Sequence, residues 1–589
     1  DDNVTTFNGS SSSSIQSGFE SVDLSAITGS FGAEITAIKG GSTITGTPNI
    51  DVITGGAGDD IIGGVGGADI IDGGAGADTI TGGAGADVLN GGAGNDLFVY
   101  TANTDLFTNA NPGVNVDTLD GGDGTDSIHI SSAITATFEI AATDVFATGF
   151  TSIEQITAGP TAEDISLTFK ATAQDTISII DLSGDTTAGG ANTIDVDLEA
   201  DNGFTITGGA SVETVTGGAG ADTISGGGGN DIINGKEGAD IINGDAGNDV
   251  ITGDVTGTVA IDVLSGGDGD DTFKYVATAD LTGATAFVDS IDGGAGTDTI
   301  ELTPGAAFVL AEADEWARVS NVESITLPGN TNQDVSITLA NSAYETGLRT
   351  VDLSADGTTG NTVVIHAGAE TGTSNGFTLK GGADVDTITG GAGADTINGG
   401  GAADIISTGA GVDTIQLSDF AAIDVIAASG FTVGASSGDI IAVDFSDIEA
   451  SSKDFVSPAG AGSVGDATSA PVVSVVTGAF NADTLTADTN IIVVNIAGAI
   501  ANAAALDTAL EDGGGAAMTA DGTLAANDAF LVLYDDNTHS YLAEVKVAVG
   551  AAVADNTTGA TGELTATDLI KFTGVASAAT ITVENFDFF

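Results

Sequence analysis

Cysteine is absent from the 589 residues, so neither disulfides nor thiolate chemistry is available to the chain. Basic residues are almost as scarce: ten Lys and Arg stand against 84 Asp and Glu, a formal charge of -74. That balance excludes nucleic acid and anionic membrane surfaces as good partners and favours metal cations. The three histidines, His129, His366 and His539, are too scattered for a zinc site, and no pair of histidines lies on one helical turn as a zincin requires. No apolar run approaches the ~18 residues of a membrane span. The acidic start, DDNVTTFNGS, is unlike the basic-then-apolar pattern of a secretory leader, so either export uses another signal or residue 1 is expected to be interior to a longer protein. A Gly-x-Ser-x-Gly elbow, a phosphate loop and a dinucleotide fingerprint are all missing, and the lone Trp316 sits in AEADEWARVSN, where a packing role is expected.

Glycine is abundant instead, 89 residues of it, and it recurs with a period of nine. From Gly55 the chain reads GGAGDDIIG, GVGGADIID, GGAGADTIT, GGAGADVLN and GGAGNDLFV, preceded by a worn copy, GTPNIDVIT, at Gly46. Position six is Asp51, Asp60, Asp69, Asp78, Asp87 and Asp96; position eight is Ile53, Ile62, Ile71, Ile80, Leu89 and Phe98. A second cluster, Gly208 to Lys274, opens with Glu213 at position six and continues with Asp222, Asp231, Asp240 and Asp249. After an insertion near Thr256 it resumes with Asp262 and Asp271. The third, Gly381 to Gln416, carries Asp386, Asp395, Asp404 and Asp413, with Asp384, Ala402 and Thr408 in place of glycines. The tails VDTLDGGDGTDSI and VDSIDGGAGTDTI add Asp117, Asp126, Asp289 and Asp298.

Apolar pairs bounded by glycine fit three-residue strands between tight turns, because glycine reaches backbone angles closed to other residues. If two nonapeptides make one turn of a coil, residues 18 apart stack at the ~4.8 Å strand spacing. Asp60 then lies over Asp78, and Asp69 over Asp87. Carboxylates so placed repel unless a cation sits between them, and calcium, with six to eight oxygen ligands, suits a gap that also offers loop carbonyls. The pattern resembles the RTX (repeats-in-toxin) calcium-binding nonapeptide, GGxGxDxUx, in which U is a large apolar residue. The resemblance implies a parallel β-roll with several Ca2+ ions threaded along its turns, and secretion by a type I system that reads an uncleaved C-terminal signal.

A larger repeat encloses the small one. GFESVDLS, TISIIDLS and GLRTVDLS each precede a glycine cluster, and NGFTITGGA at Asn202 recurs as NGFTLKGGA at Asn375. The fold expected is therefore all-β: an elongated tandem array of calcium-binding parallel β-rolls, or a right-handed β-helix, with strand-rich inserts and a C-terminal β-rich domain. Its segments are 1–45 (a partial insert), 46–129 (roll one), 130–207 (insert), 208–301 (roll two), 302–380 (insert), 381–445 (roll three) and 446–589. Within the last, AIANAAALDTALEDGGG reads as a helix and DAFLVLYDDNTHSYLAEVKV as two strands about a turn at Asp535 to Thr538, flanked by Tyr534 and Tyr541. The tip ENFDFF resembles the end of a type I-secreted protein.

No catalytic constellation is expected, since the best-placed carboxylates are already accounted for as ion ligands. Three roles fit such a chain. The favoured one is a self-assembling protein of the cell surface, similar to RTX-type surface-layer proteins of Gram-negative bacteria. Its partner would be its own copies, with a cell-surface polysaccharide bound through a preceding part. The others are an adhesin stalk and the C-terminal half of a secreted toxin or exoenzyme.

Overall fold

In the computed structural model the described residues are 20–27, 29–37, 41–102, 117–131, 149–160, 164–169, 176–186, 190–197, 203–254, 260–277, 281, 289–310, 315–329, 333–339, 343–344, 346–357, 360–372, 376–417, 424–427, 431 and 439–443, with the strands Ser14–Ile15, Phe138–Ile140, Val473–Thr477, Ile491–Asn495, Ala529–Asp535, His539–Val547, Leu564–Thr573 and Phe586–Phe588. The sequence pattern is realised as a parallel β-roll. Successive strands alternate between two walls: Val52–Ala57 and Ile70–Ala75 pair in one, Ile61–Gly66 and Thr79–Ala84 in the other. One nonapeptide is thus half a turn, and Ile53 stacks on Ile71 and Ile62 on Ile80, 18 residues away in each case.

Packing follows the period. Position eight points inward, and Ile53, Ile62, Ile71 and Ile80 are at most 1% exposed. Each such side chain contributes roughly 1.5–3 kcal/mol of apolar burial. Position seven points out on the same strand, so Val52, Ile61, Ile70 and Val88 are exposed. The strands of the first cluster run to six residues rather than the three expected, because the glycine turns join the ladder: Gly56 pairs with Gly74 and Ala57 with Ala75. That close approach demands glycine. Gly74 has a φ of 107°, and a Cβ there would strike the carbonyl oxygen of Gly56.

The chain forms two compact units. Unit one comprises residues 1–275, 279–283 and 288–299, and unit two comprises 276–278, 284–287 and 300–589. They do not follow the seven segments of the sequence pattern. In unit one the described strands of segment 130–207 are further rungs of the same roll: Ser127–Ile130, Gln155–Ala158, Ile179–Asp181, Thr205–Thr207 and Thr223–Ser225 pair in parallel succession. Their regular Ile and Leu positions, Ile156, Ile180 and Ile206, continue the buried column without its glycine turns.

Unit two repeats the arrangement, with Thr350–Asp352, Thr378–Lys380, Thr396–Asn398 and Thr414–Leu417 along one wall and Val363–His366, Thr387–Thr389 and Ile405–Ser407 along another. Trp316 is buried there, its Nε1 donating to Thr338 O at 3.4 Å, as a packing anchor would be. The C-terminal strands build onto this roll. Leu564–Thr573 pairs in parallel with Asp424–Ala427 and antiparallel with His539–Val547, which forms a hairpin with Ala529–Asp535. Tyr534 and Tyr541 stack at 5.0 Å beside that turn, and Phe586–Phe588 pairs with Ile440–Val443. The expected helix at 499–515 lies outside the described residues. No described helix is long and apolar enough to cross a membrane.

Candidate metal centre

All twenty aspartates expected as ligands lie on the described chain, and all are buried, none more than 1% exposed. The roll brings them into vertical columns through one recurring bond. The Oδ1 of each accepts a backbone N–H from the preceding rung, and beyond the first member of a column the donor is itself a column acid: Asp51 donates to Asp69 at 2.7 Å, Asp69 to Asp87 at 2.7 Å, Asp60 to Asp78 at 2.8 Å and Asp78 to Asp96 at 2.8 Å. Stacked carboxylates therefore do not simply face each other, as the spacing alone suggested. One oxygen of each is committed to the neighbouring backbone, which leaves at most one for a ligand.

The same bond carries the columns across every insertion. Asp87 reaches Asp117 and Asp96 reaches Asp126 across 30 residues. In the second cluster Asp222, Asp240, Asp262 and Asp289 form one column, and Glu213, Asp231, Asp249, Asp271 and Asp298 the other. In the third, Asp386 leads to Asp404 and Asp395 to Asp413. Two members escaped the nonapeptide pattern: Asp404 continues to Asp424 and Asp413 to Asp439, both at 3.0 Å. Their offsets of 20 and 26 break the period, and the only signal was an acid before an apolar pair, in IDVIA and GDIIA. Glu154 also joins, its Oε2 accepting the N–H of Asp126 at 2.8 Å.

The second carboxylate oxygen divides the acids into two groups. In Asp60, Asp69, Asp78, Asp96, Asp126, Asp231, Asp240, Asp249, Asp271 and Asp413 the buried Oδ2 has no protein hydrogen-bond partner. In all of these but Asp413, whose repeat has Thr408 at position one, it points into a space that only glycine leaves open. A Cβ on Gly55 would lie 2.7 Å from Asp60 Oδ2 and 2.5 Å from the carbonyl oxygen of Gly73, one rung on. The equivalent spaces at Gly64 and Gly226 meet the carbonyls of Gly82 and Gly244 at 2.6 and 2.8 Å together with Asp69 and Asp231. A carboxylate oxygen and a carbonyl oxygen from adjacent rungs, both buried, form a hard all-oxygen donor set of the kind calcium takes. The residues present fit that ion. Among the described residues no three acidic or histidine side chains converge on one point, so each site draws on backbone carbonyls as much as on carboxylates.

Burial raises the pKa values of several of these groups. Asp69 and Asp240 are pushed up to about 7, and Asp78 and Asp249 to about 6, by desolvation with like-charged column neighbours adding to it. Hydrogen bonds from the preceding rung oppose the rise without cancelling it. A cation at the open oxygen reverses that balance by favouring the ionised form.

At the start of four columns protein groups reach the second oxygen. Asp51, Asp222, Asp386 and Asp395 accept backbone N–H from Thr47, Gly218, Gly382 and Gly391 at 2.6, 3.0, 2.6 and 2.6 Å. Glu213, the one glutamate at position six, takes bonds on Oε1 from Asn192 Nδ2 and Ser211 Oγ, both 2.9 Å; Asn192 has no nonapeptide signature to reveal it. The histidines stand apart from the columns, His129 against Thr157 at 2.8 Å and His366 against Thr389 at 3.3 Å.

The family model of the RTX calcium-binding nonapeptide repeat matches residues 39–71, 63–98, 207–242, 229–256, 256–274, 284–306 and 380–415, the stretches that build these columns. No curated protein matches the chain. The class is thus a calcium-binding parallel β-roll. These stretches are RTX nonapeptide repeats, they bind calcium in multiple copies, and proteins that carry them are typically secreted by type I systems.

Proposed function

We propose that this chain is a calcium-dependent, self-assembling structural protein of the bacterial cell surface, exported by a type I system, with no catalytic role of its own. The position-six aspartates named above hold the ions, with calcium serving as counterion and rung-to-rung link. The observation that carries the assembly reading is the exposed position-seven row. Val52, Ile70 and Val88 stack in register on one wall of the first cluster, at 42, 49 and 49% exposure, and Ile241 and Val263 do so in the second, at 52 and 47%. A flat apolar strip on a surface of such charge suits contact between copies once cations have reduced the repulsion. Strand-rich segments that continue the roll, rather than forming separate modules, favour a scaffold over a stalk of repeated sandwiches.

Electron microscopy of the purified protein with and without calcium tests this. Ordered sheets or filaments are expected only with calcium, and they should be lost in a V52T/I70T/V88T variant. Thr79 already occupies position seven on the other wall, so the rung tolerates threonine. Monomers under both conditions would refute self-assembly and leave the adhesin and exoenzyme roles.

A further inference from the structure

Two buried tyrosines treat the last carboxylate of a column differently from all the interior ones. Tyr100 donates its hydroxyl to Asp117 Oδ2 at 3.0 Å, and Tyr275 donates to Asp289 Oδ2 at 3.1 Å. Both rings are nearly inaccessible, 2 and 1% exposed, and both acids are 1% exposed. The two sites lie at the feet of different clusters and arise from matching sequence, DLFVY and DTFKY, with the tyrosine four residues after Asp96 and Asp271. Each tyrosine ends a strand of the roll, Leu97–Tyr100 or Thr272–Tyr275, and reaches the acid that closes the other column of its own cluster.

The sequences before these acids differ as well. Interior sites other than that of Asp413 have a glycine at position one, whose missing Cβ leaves room for a carboxylate and a carbonyl oxygen. The five residues before Asp117 are PGVNV, with proline at position one, and those before Asp289 are ATAFV, with Ala284 and Thr285 in place of the glycine pair. The partners one half-turn on keep the full loop, GGDGTD for Asp126 and GGAGTD for Asp298. At Asp126 the Oδ2 has no protein partner, and Gly121 faces it across the space a Cβ would fill. Within each terminal pair, then, one acid has the glycine cradle and the other has a phenol.

We propose that Tyr100 and Tyr275 are stop residues that end one ion column in each cluster, their hydroxyls taking the place of a cation at Asp117 and Asp289. A phenol O–H directed at the carboxylate puts a positive hydrogen where an interior site has the metal, and the ring fills space that would otherwise admit ligand oxygens. Asp117 and Asp289, expected from the sequence as ligands, are reassigned on this argument as acceptors in a metal-free terminus. A third terminus is built similarly: Thr408 Oγ1 donates to Asp439 Oδ2 at 3.2 Å. The inference rests on calcium filling the interior columns.

Calcium bound per full-length chain, counted by equilibrium dialysis at millimolar calcium, tests it. D117N and D289N keep an acceptor for the tyrosine and should leave the count unchanged, whereas D126N, in the cradle beside Asp117, should lower it. Y100F should also keep the wild-type count but lower the thermal midpoint measured in chelator, because it removes a hydroxyl donor to a buried carboxylate while the ion sites stay intact. A lower count in D117N or D289N overturns the stop role and leaves the column reading standing. Unchanged counts in D126N and in D78N alike would remove the column reading and this inference with it. An unchanged midpoint for Y100F in chelator would show that the hydroxyl does not serve Asp117.

Discussion

Asp78 sits mid-column, and two substitutions there separate its backbone role from its ion role. Its Oδ1 accepts the buried N–H of Asp60 at 2.8 Å, and its Oδ2 has no protein partner. Alanine removes both oxygens; asparagine keeps the acceptor and removes only the charge. Without calcium, D78A leaves the Asp60 N–H unpaired, which costs about 1–3 kcal/mol. D78N avoids that cost and also relieves a desolvated carboxylate whose pKa is raised from 3.8 to about 6. At about 1.4 kcal/mol per unit, that relief amounts to up to about 3 kcal/mol at neutral pH. With calcium the order changes, since either variant loses the ion bound at Asp78 and with it the binding free energy that stabilises the folded wild type.

The expected pattern is a crossing. In chelator, urea midpoints followed by circular dichroism should rank D78N at or above wild type and D78A below it. In millimolar calcium both should fall below wild type. A D78N deficit of equal size in chelator and in calcium would refute the assignment of an ion to Asp78, because the loss would then be independent of the metal.

Acidification should favour the calcium-free roll. Asp69 and Asp240 have pKa values raised from 3.8 to about 7, so their contribution is fully present below 3.8 and lost as pH rises through about 7. Strand content in chelator should therefore increase as pH is lowered from 8, and calcium affinity should fall over the same range as protons compete; a calcium affinity independent of pH would contradict this. I71A, at a site 1% exposed, should cost about 2–5 kcal/mol with or without calcium, read from the same urea midpoints. G74A should abolish cooperative calcium binding around the first cluster, since its Cβ meets the Gly56 carbonyl at a φ of 107°; calorimetry giving a wild-type isotherm would contradict the glycine argument.

What could be read from sequence was whatever obeyed a strict period. The period of nine placed Asp69 and Ile71 correctly because each copy repeats the same half-turn, and the register Ile53 to Ile71 is the direct outcome. The Oδ1-to-amide bond was not legible, because it depends on how far a carboxylate leans toward the preceding rung. Asp424 and Asp439 were missed since the loops before them vary in length while the rung they rejoin does not. The segments between clusters looked like inserts because they lack the nonapeptide's glycine pattern, yet Ile156, Ile180 and Ile206 needed only inward alternation to extend the roll. Tyr100 and Asn192 act through contacts 17 and 21 residues distant, beyond any local pattern.

The magnitudes explain why such a roll is tied to its metal. Each full turn of 18 residues buries two position-eight side chains, roughly 3–6 kcal/mol before chain entropy is counted. The same turn adds one carboxylate to each of two columns. At a rung spacing of ~4.8 Å and an effective dielectric near 20, each new carboxylate repels its neighbour by about 3 kcal/mol, so two columns cost about as much as the turn's apolar burial supplies. Protons or cations must remove that repulsion for the stack to grow. Protons do so only below the raised pKa values of about 6 to 7, whereas calcium does so at neutral pH and adds ligand bonds to carbonyls that the glycine turns already hold in place. A chain built this way stays loose where calcium is scarce and closes rung by rung where it is plentiful, because each turn is stabilised mainly by its neighbours.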